Sequence, residues 1–128
     1  MPVTRWLPAL AAAAALAACQ SASARERAEE AAALTGGDPS RAPPLMRRYG
    51  CASCHVIPGV DGATGLVGPP LAGIASRSYI GGVLTNDPQH MIRWILDPKA
   101  VDSLTAMPVT GVSEGEARDI AAYLYTLR

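Results

Sequence analysis

The sequence has no phenylalanine, a single lysine (Lys99) and only six aromatic residues among 128. So few large rings make a thin core for a chain this short, and domains of that kind usually need a staple. Basic residues do not outnumber acidic ones, 11 against 11, so no footprint for nucleic acid is present. The longest apolar run, Leu7 through Ala18, is too short for a comfortable transmembrane helix and has the size of a signal-peptide core. With three cysteines and two histidines, a structural zinc site would be short of ligands. The length fits one domain plus tails.

What is present is Cys51-Ala52-Ser53-Cys54-His55. Two thiols in this spacing, followed at once by an imidazole, read as a covalent haem attachment motif, each sulfur bonding one vinyl group and the histidine supplying an axial nitrogen to the iron. A redox dithiol would call for a βαβ setting, which the flanking Gly50 and Val56-Ile57-Pro58-Gly59 do not offer. Half of a zinc site would need more than Cys19 and His90 can add. A covalently held haem would also be the missing staple, an apolar plate for side chains to pack on.

The odd thiol lies elsewhere. Leu16-Ala17-Ala18-Cys19 resembles the lipobox of bacterial lipoproteins, which implies cleavage before Cys19 and a lipid on that residue. The alternatives are an ordinary secretory signal with an incidental cysteine, or an uncleaved anchor. On the first reading, residues 1–18 are a lipoprotein signal peptide and residues 19–42 a lipid-anchored polar linker. Gln20 after the cysteine implies sorting toward the outer membrane in a Gram-negative cell. The Ala/Glu/Arg-rich stretch 20–34 is expected to be a solvated, partly helical tether that ends at Gly36-Gly37-Asp38-Pro39. As a flexible coil of ~25 residues it would hold the domain some 25–30 Å from a membrane. Loss of the leader removes Arg5 and leaves ten basic against eleven acidic residues.

Residues 43–128 are expected to form the domain. A first helix starts near Pro43 or Pro44, with Leu45, Met46 and Tyr49 on one apolar face. Residues 56–75 carry too many prolines and glycines for a regular element. Asn86-Asp87-Pro88 opens a middle helix with Met91, Ile92, Trp94 and Ile95 on its apolar side, and Pro98 stops it. Ser113 and Glu116 make a capping box for a last helix whose face is Ala117, Ile120, Ala121, Leu124 and Leu127.

The Cys51–His55 motif, then Gly68-Pro69-Pro70-Leu71, then a late Met107 resemble the class I cytochrome c family in order and spacing. The resemblance implies an all-α fold of three to five helices, with long loops wrapped around one covalently bound haem c. It implies that the Pro69 carbonyl orients His55 and raises its basicity. It implies that Arg77, with Tyr79 as a lesser candidate, bonds a haem propionate; a plain solvated loop charge is the other reading of Arg77. Trp94 would stand near the methionine side of the haem or simply pack in the core, and Tyr123 would pack the last helix on the first. Met107 would be the second axial ligand of iron, because Met46 lies too close to the motif and Met91 reads as core. The usual Pro-Gly turn before that methionine is replaced by Asp102-Ser103-Leu104-Thr105-Ala106, which puts the rigidity of the loop in question. His90 reads as solvent-facing.

The function so implied is a monomeric electron carrier rather than an enzyme, lipid-anchored in the bacterial periplasm. It would serve redox partners such as an oxidase, a dehydrogenase or a cytochrome complex. The other readings are an electron-input subunit of an oxidoreductase and a gas or redox sensor with a labile methionine ligand. A lone lysine and near-zero charge predict docking through apolar contact with little dependence on salt.

Overall fold

The computed structural model describes residues 7–128, with side chains from residue 18 onward. The first six residues of the expected leader, Arg5 among them, lie outside the described residues. The architecture is all-α, six helices with one small hairpin: α1 (Leu7–Thr35), α2 (Ala42–Arg48), α3 (Cys51–Cys54), β1 (Tyr79–Ile80), β2 (Leu84–Thr85), α4 (Pro88–Leu96), α5 (Pro98–Val101) and α6 (Glu114–Thr126). Among the described residues no helix is long and apolar enough to cross a membrane.

Helix α6 is the axis of packing, with α1, α2 and α4 all laid against it. Its buried face includes Ala117, Ile120, Ala121 and Leu124, as the sequence periodicity predicts. Ala117 and Ala121 are fully enclosed, as are Ala42 and Met46 of α2. Small side chains one turn apart let two helices approach closely, and the long Met46 fills what remains. The capping box holds in full: Ser113 Oγ accepts from the Glu116 N–H, and Glu116 reaches back to the Ser113 N–H. Asp87, followed by Pro88, caps α4 through the His90 N–H at 2.9 Å.

The solvated tether expected over residues 20–34 needs correction at its C-terminal end. Most side chains of residues 18–30 are exposed, but Ala31 and Thr35 are 1% and 2% exposed and α1 is packed on α6. An alanine-rich helix has little apolar weight, but small side chains allow close approach to a facing helix, and polar groups at its end find partners. Arg118 Nη1 donates to the Thr35 carbonyl at 3.1 Å. Past Gly36, which takes φ +70, the chain crosses α6 so closely that a Cβ on Gly37 would lie 2.2 Å from the Arg118 carbonyl carbon. Asp119, 5% exposed, accepts from the Asp38 N–H at 2.7 Å and faces Arg41 Nε at 3.3 Å. The folded unit therefore begins well before residue 43.

Two further features were not anticipated. The hairpin β1–β2 turns over Gly81 and Gly82, both at positive φ, and pairs Tyr79 with Thr85 and Ile80 with Leu84. Pro98 ends α4 but also opens the short α5, with Asp97 accepting from the Ala100 N–H.

Candidate functional site

The single turn α3 projects the motif. Gly50 before it sits at φ +80, a conformation that strains any residue with a Cβ. After it the backbone leaves in extended form at His55, whose N–H closes on the Cys51 carbonyl at 3.0 Å. Cys51 and Cys54 form no disulfide, and burial pushes the Cys51 thiol above its ordinary pKa. Among the described residues no group of three or more His, Cys, Asp and Glu side chains is placed to hold a metal ion.

The loop after the motif doubles back along it. Gly65 N–H donates to the Ala52 carbonyl at 3.3 Å, Gly68 N–H to Cys54 at 2.7 Å and Leu71 N–H to Val56 at 2.9 Å. Gly68 crosses the imidazole so tightly that a Cβ there would lie 2.3 Å from His55 Cε1. The next residue brings its carbonyl to the ring: His55 Nδ1 stands 2.7 Å from the Pro69 oxygen. A carbonyl only accepts, so Nδ1 carries the hydrogen and Nε2 keeps its lone pair for another use.

Cys51, Cys54, His55, Pro69, Arg77, Tyr79, Trp94 and Met107 all line one cavity of about 440 Å³. Its back wall is apolar, with Met46, Ile74, Ile80, Met91, Ile120 and Leu124 among the residues. Met46 and Met91 are 1% and 2% exposed, as expected of core. Trp94 stands against the hairpin tip, where a Cβ on Gly81 would come within 2.5 Å of its ring. Tyr79, 59% exposed, is at the mouth. Arg77 Nη2 donates to the carbonyls of Pro70 and Ala72, which makes its guanidinium a clasp on the loop. Cys19 is exposed on α1 and lines no part of the cavity.

The Met107 segment is braced by hydrogen bonds in place of a Pro-Gly turn. Asp102 Oδ1 accepts from the Leu104 N–H at 3.0 Å, Thr105 Oγ1 accepts from the Met107 N–H at 3.2 Å, and the Lys99 ammonium donates to the Thr105 carbonyl. Tyr123, expected between the two terminal helices, instead donates its hydroxyl to the Pro58 carbonyl at 2.7 Å and pins the loop after the motif. The contact between α2 and α6 has a different aromatic, Tyr49, which donates to Glu116 at 2.8 Å. His90 is half-buried, with Nδ1 2.7 Å from Asp87 Oδ2 and hydrogen bonding to Thr85.

Sequence reasoning passed over Lys99 and Thr105 as supports of the methionine loop, and gave Asn86 only a place at the start of the middle helix. Asn86 Nδ2 donates to the carbonyls of Ile74 and Arg77, both at 2.8 Å. An asparagine beside a capping aspartate carries no local signal that would single it out, because its partners are far apart in sequence.

The donor set and the walls fit a haem: two thiols and an imidazole with a free Nε2 on one side, a thioether on the same cavity, and an apolar interior. The comparisons agree. Cytochrome c oxidase subunit 2 of Alkalihalophilus pseudofirmus is 30% identical over 85 residues, which is 66% of this chain but only 24% of that protein. The chain thus spans about a quarter of that relative's length. No solved structure shows a significant match. The profile of the cytochrome c family matches residues 45–128, from the middle of α2 to the last residue. With the motif, the imidazole and its carbonyl partner, and an apolar chamber closed by α6, the chain belongs to the cytochrome c family, whose members hold haem c and transfer electrons.

Proposed function

We propose that this protein is a mono-haem electron carrier with His55 and Met107 as the two axial ligands of iron. The observation that carries the reading is the 2.7 Å contact of His55 Nδ1 with the Pro69 carbonyl in a cavity that Met107 also lines. Cys51 and Cys54 would hold the haem covalently. With both axial positions taken by the protein, the chemistry the group supplies is uptake and release of one electron, at a potential that methionine ligation raises. The protein's own work is then positional: Pro69 and Gly68 fix the imidazole, Lys99 and Thr105 steady the methionine loop, and the apolar walls exclude water.

The rim of the cavity supports an apolar docking face. Val67 and Tyr79 line the mouth and are 76% and 59% exposed; Leu66 and Leu104, next to lining residues, are 87% and 91% exposed. Lys99 is the single lysine of the chain, so no ring of lysines surrounds the rim to steer an acidic partner. Association with a redox partner should therefore change little with ionic strength.

Attachment to a membrane through a lipid on Cys19 belongs to the same proposal. Helix α1 would then be a firm stand-off, with ~18 Å of helix between Cys19 and the docked Ala31 at 1.5 Å per residue. Cys19→Ser should release the protein into the soluble fraction, and mass spectrometry of the mature N-terminus should show the lipid. A protein that stays soluble and unlipidated overturns the anchor alone.

The test of the central reading is Met107→Ala. The visible spectrum should change and the reduced variant should bind carbon monoxide, while the parent binds none. A spectrum indifferent to the substitution rejects the ligand assignment. Rapid carbon monoxide binding by the parent would favour the sensor with a labile methionine. A second reading draws on the likeness to an oxidase subunit: this chain feeds electrons into an oxidoreductase as one of its subunits. Stable co-purification with such an enzyme, rather than transient turnover with it, separates the two.

A further inference from the structure

We propose that Asn86 is a positioning residue for the His55 side of the site, acting through residues 69–77, and that it helps set the reduction potential. The inference rests on the assignment of His55 as an iron ligand.

Every hydrogen-bonding group of the Asn86 side chain is used. Nδ2 donates to the Ile74 and Arg77 carbonyls, and Oδ1 accepts from the Tyr125 hydroxyl at 2.8 Å. The orientation of the amide is fixed by chemistry, because a flip would set its oxygen against two carbonyl oxygens. Its own N–H donates to the Ser78 carbonyl at 3.0 Å. One side chain thereby ties the first residue of the short turn Ile74–Ser76, and the backbone of Arg77 after it, to helix α6.

What Arg77 holds matters next. Pro69 and Pro70 have no N–H, so this pair of residues offers the fold acceptors alone. The Pro69 carbonyl meets His55 Nδ1, and the Pro70 carbonyl is gripped by Arg77 Nη2, which also takes Ala72. The loop is otherwise fastened at its ends, by the N–H groups of Gly68 and Leu71. The position of the His55 acceptor thus depends on the clasp of Arg77, and the root of that clasp is held by Asn86. An imidazole whose Nδ1–H is firmly bonded is a stronger donor from Nε2 and favours the ferric state. Loosening the acceptor should raise the potential.

The experiment uses the haem-loaded full chain and compares Asn86→Ala, Tyr125→Phe and the double variant. Asn86→Ala should raise the reduction potential and speed solvent exchange of the His55 ring N–H, followed by NMR, about tenfold, the equivalent of one ordinary hydrogen bond. Tyr125→Phe removes only the hydroxyl that orients the amide. It should shift both readouts the same way by less, and add nothing in the double variant. Should Asn86→Ala fail to mature, the Tyr125→Phe shifts alone decide. Asp119→Asn serves as control, since Asp119 lines no part of the cavity and its partners are Asp38 and Arg41, so the change should leave potential and ring exchange alone. If the Asn86 and Tyr125 variants lose stability but keep the parent potential and exchange rate, or if the control shifts both as they do, the inference is wrong. A parent protein whose NMR shows no iron-bound His55 would overturn the functional reading instead.

Discussion

The chamber and the stem, helix α1 with residues 36–41 after it, meet along α6 but are held by opposite means. On the stem side, charged groups reach across: Asp119 takes the Asp38 N–H and Arg41, Arg118 takes the Thr35 carbonyl and Glu114, and Arg128 pairs with Glu30. On the chamber side, the fastenings are backbone carbonyls caught by neutral donors and, at the exposed rim, by Arg77 and Lys99, with glycines where the chain passes within van der Waals range of a ring. The difference follows from what each side encloses. Apolar walls around a cofactor leave no room for uncompensated charge, whereas the stem joint lies near water and can use it. The chamber should therefore respond to changes of shape, and the stem to changes of charge.

The largest effect should come from emptying the chamber. Cys51→Ala with Cys54→Ala should abolish covalent haem on a denaturing gel and, with it, cooperative thermal unfolding, since a cofactor that binds only the folded state stabilises it. Helicity retained at α1 in that variant would show that the stem folds without the chamber. A pure shape change comes next. Gly68→Ala places a methyl 2.3 Å from the His55 ring and should cost about 1–3 kcal/mol in urea unfolding. Gly50→Ala meets no atom within 4 Å, and only its left-handed backbone is strained, so about 1–2 kcal/mol is expected and no spectral shift. Equal spectral effects from the two would remove the distinction drawn here between close approach and backbone strain.

On the stem side, Asp119→Ala leaves the Asp38 N–H without its buried acceptor and should cost about 1–3 kcal/mol with an unchanged visible spectrum. Glu30→Ala should cost well under 1 kcal/mol, because its pair with Arg128 is half-exposed on both sides. The smallest effect is a dependence on pH. The capping hydrogen bonds from Ser113, with help from Tyr49, lower the Glu116 carboxyl from 4.5 to about 2. A carboxyl depressed by folding contributes stability that is fully present above its unfolded pKa and is lost as pH falls through the folded one. The contribution of Glu116 should thus fade between about pH 4.5 and pH 2. Glu116→Gln should remove this slope from an acid titration of helicity; an unchanged slope would place the loss elsewhere.

Much of this molecule could be read before any coordinates. The attachment motif, the Asp87-Pro88 start of α4 and the capping box of α6 are local chemistry: a few adjacent residues specify their own geometry. The hairpin went unread, because two paired residues on each side of Gly81-Gly82 are too short a run to carry a strand pattern. Other features had no local trace. Tyr123 looked like one more residue of a packing face, and its partner, the Pro58 carbonyl, is 65 positions away. Asn86 and Lys99 belong to the same class. Ala31 lay in the stretch read as solvated helix because its burial depends on the packing of α1 on α6, which periodicity in its own stretch does not report.

Taken alone, the sequence determined the haem attachment motif, because five adjacent residues contain all of that chemistry, while the all-α fold was implied by the resemblance to the family. It also determined where helices α4 and α6 start, because caps act within one turn. Tertiary structure alone decided that the end of α1 is part of the fold, that hydrogen bonds from Thr105 and Lys99 brace the methionine loop, and that one asparagine links α6 to the clasp beside His55. Those outcomes depend on which carbonyls come to face which donors, and that is settled only when segments distant in the chain close around the same cavity.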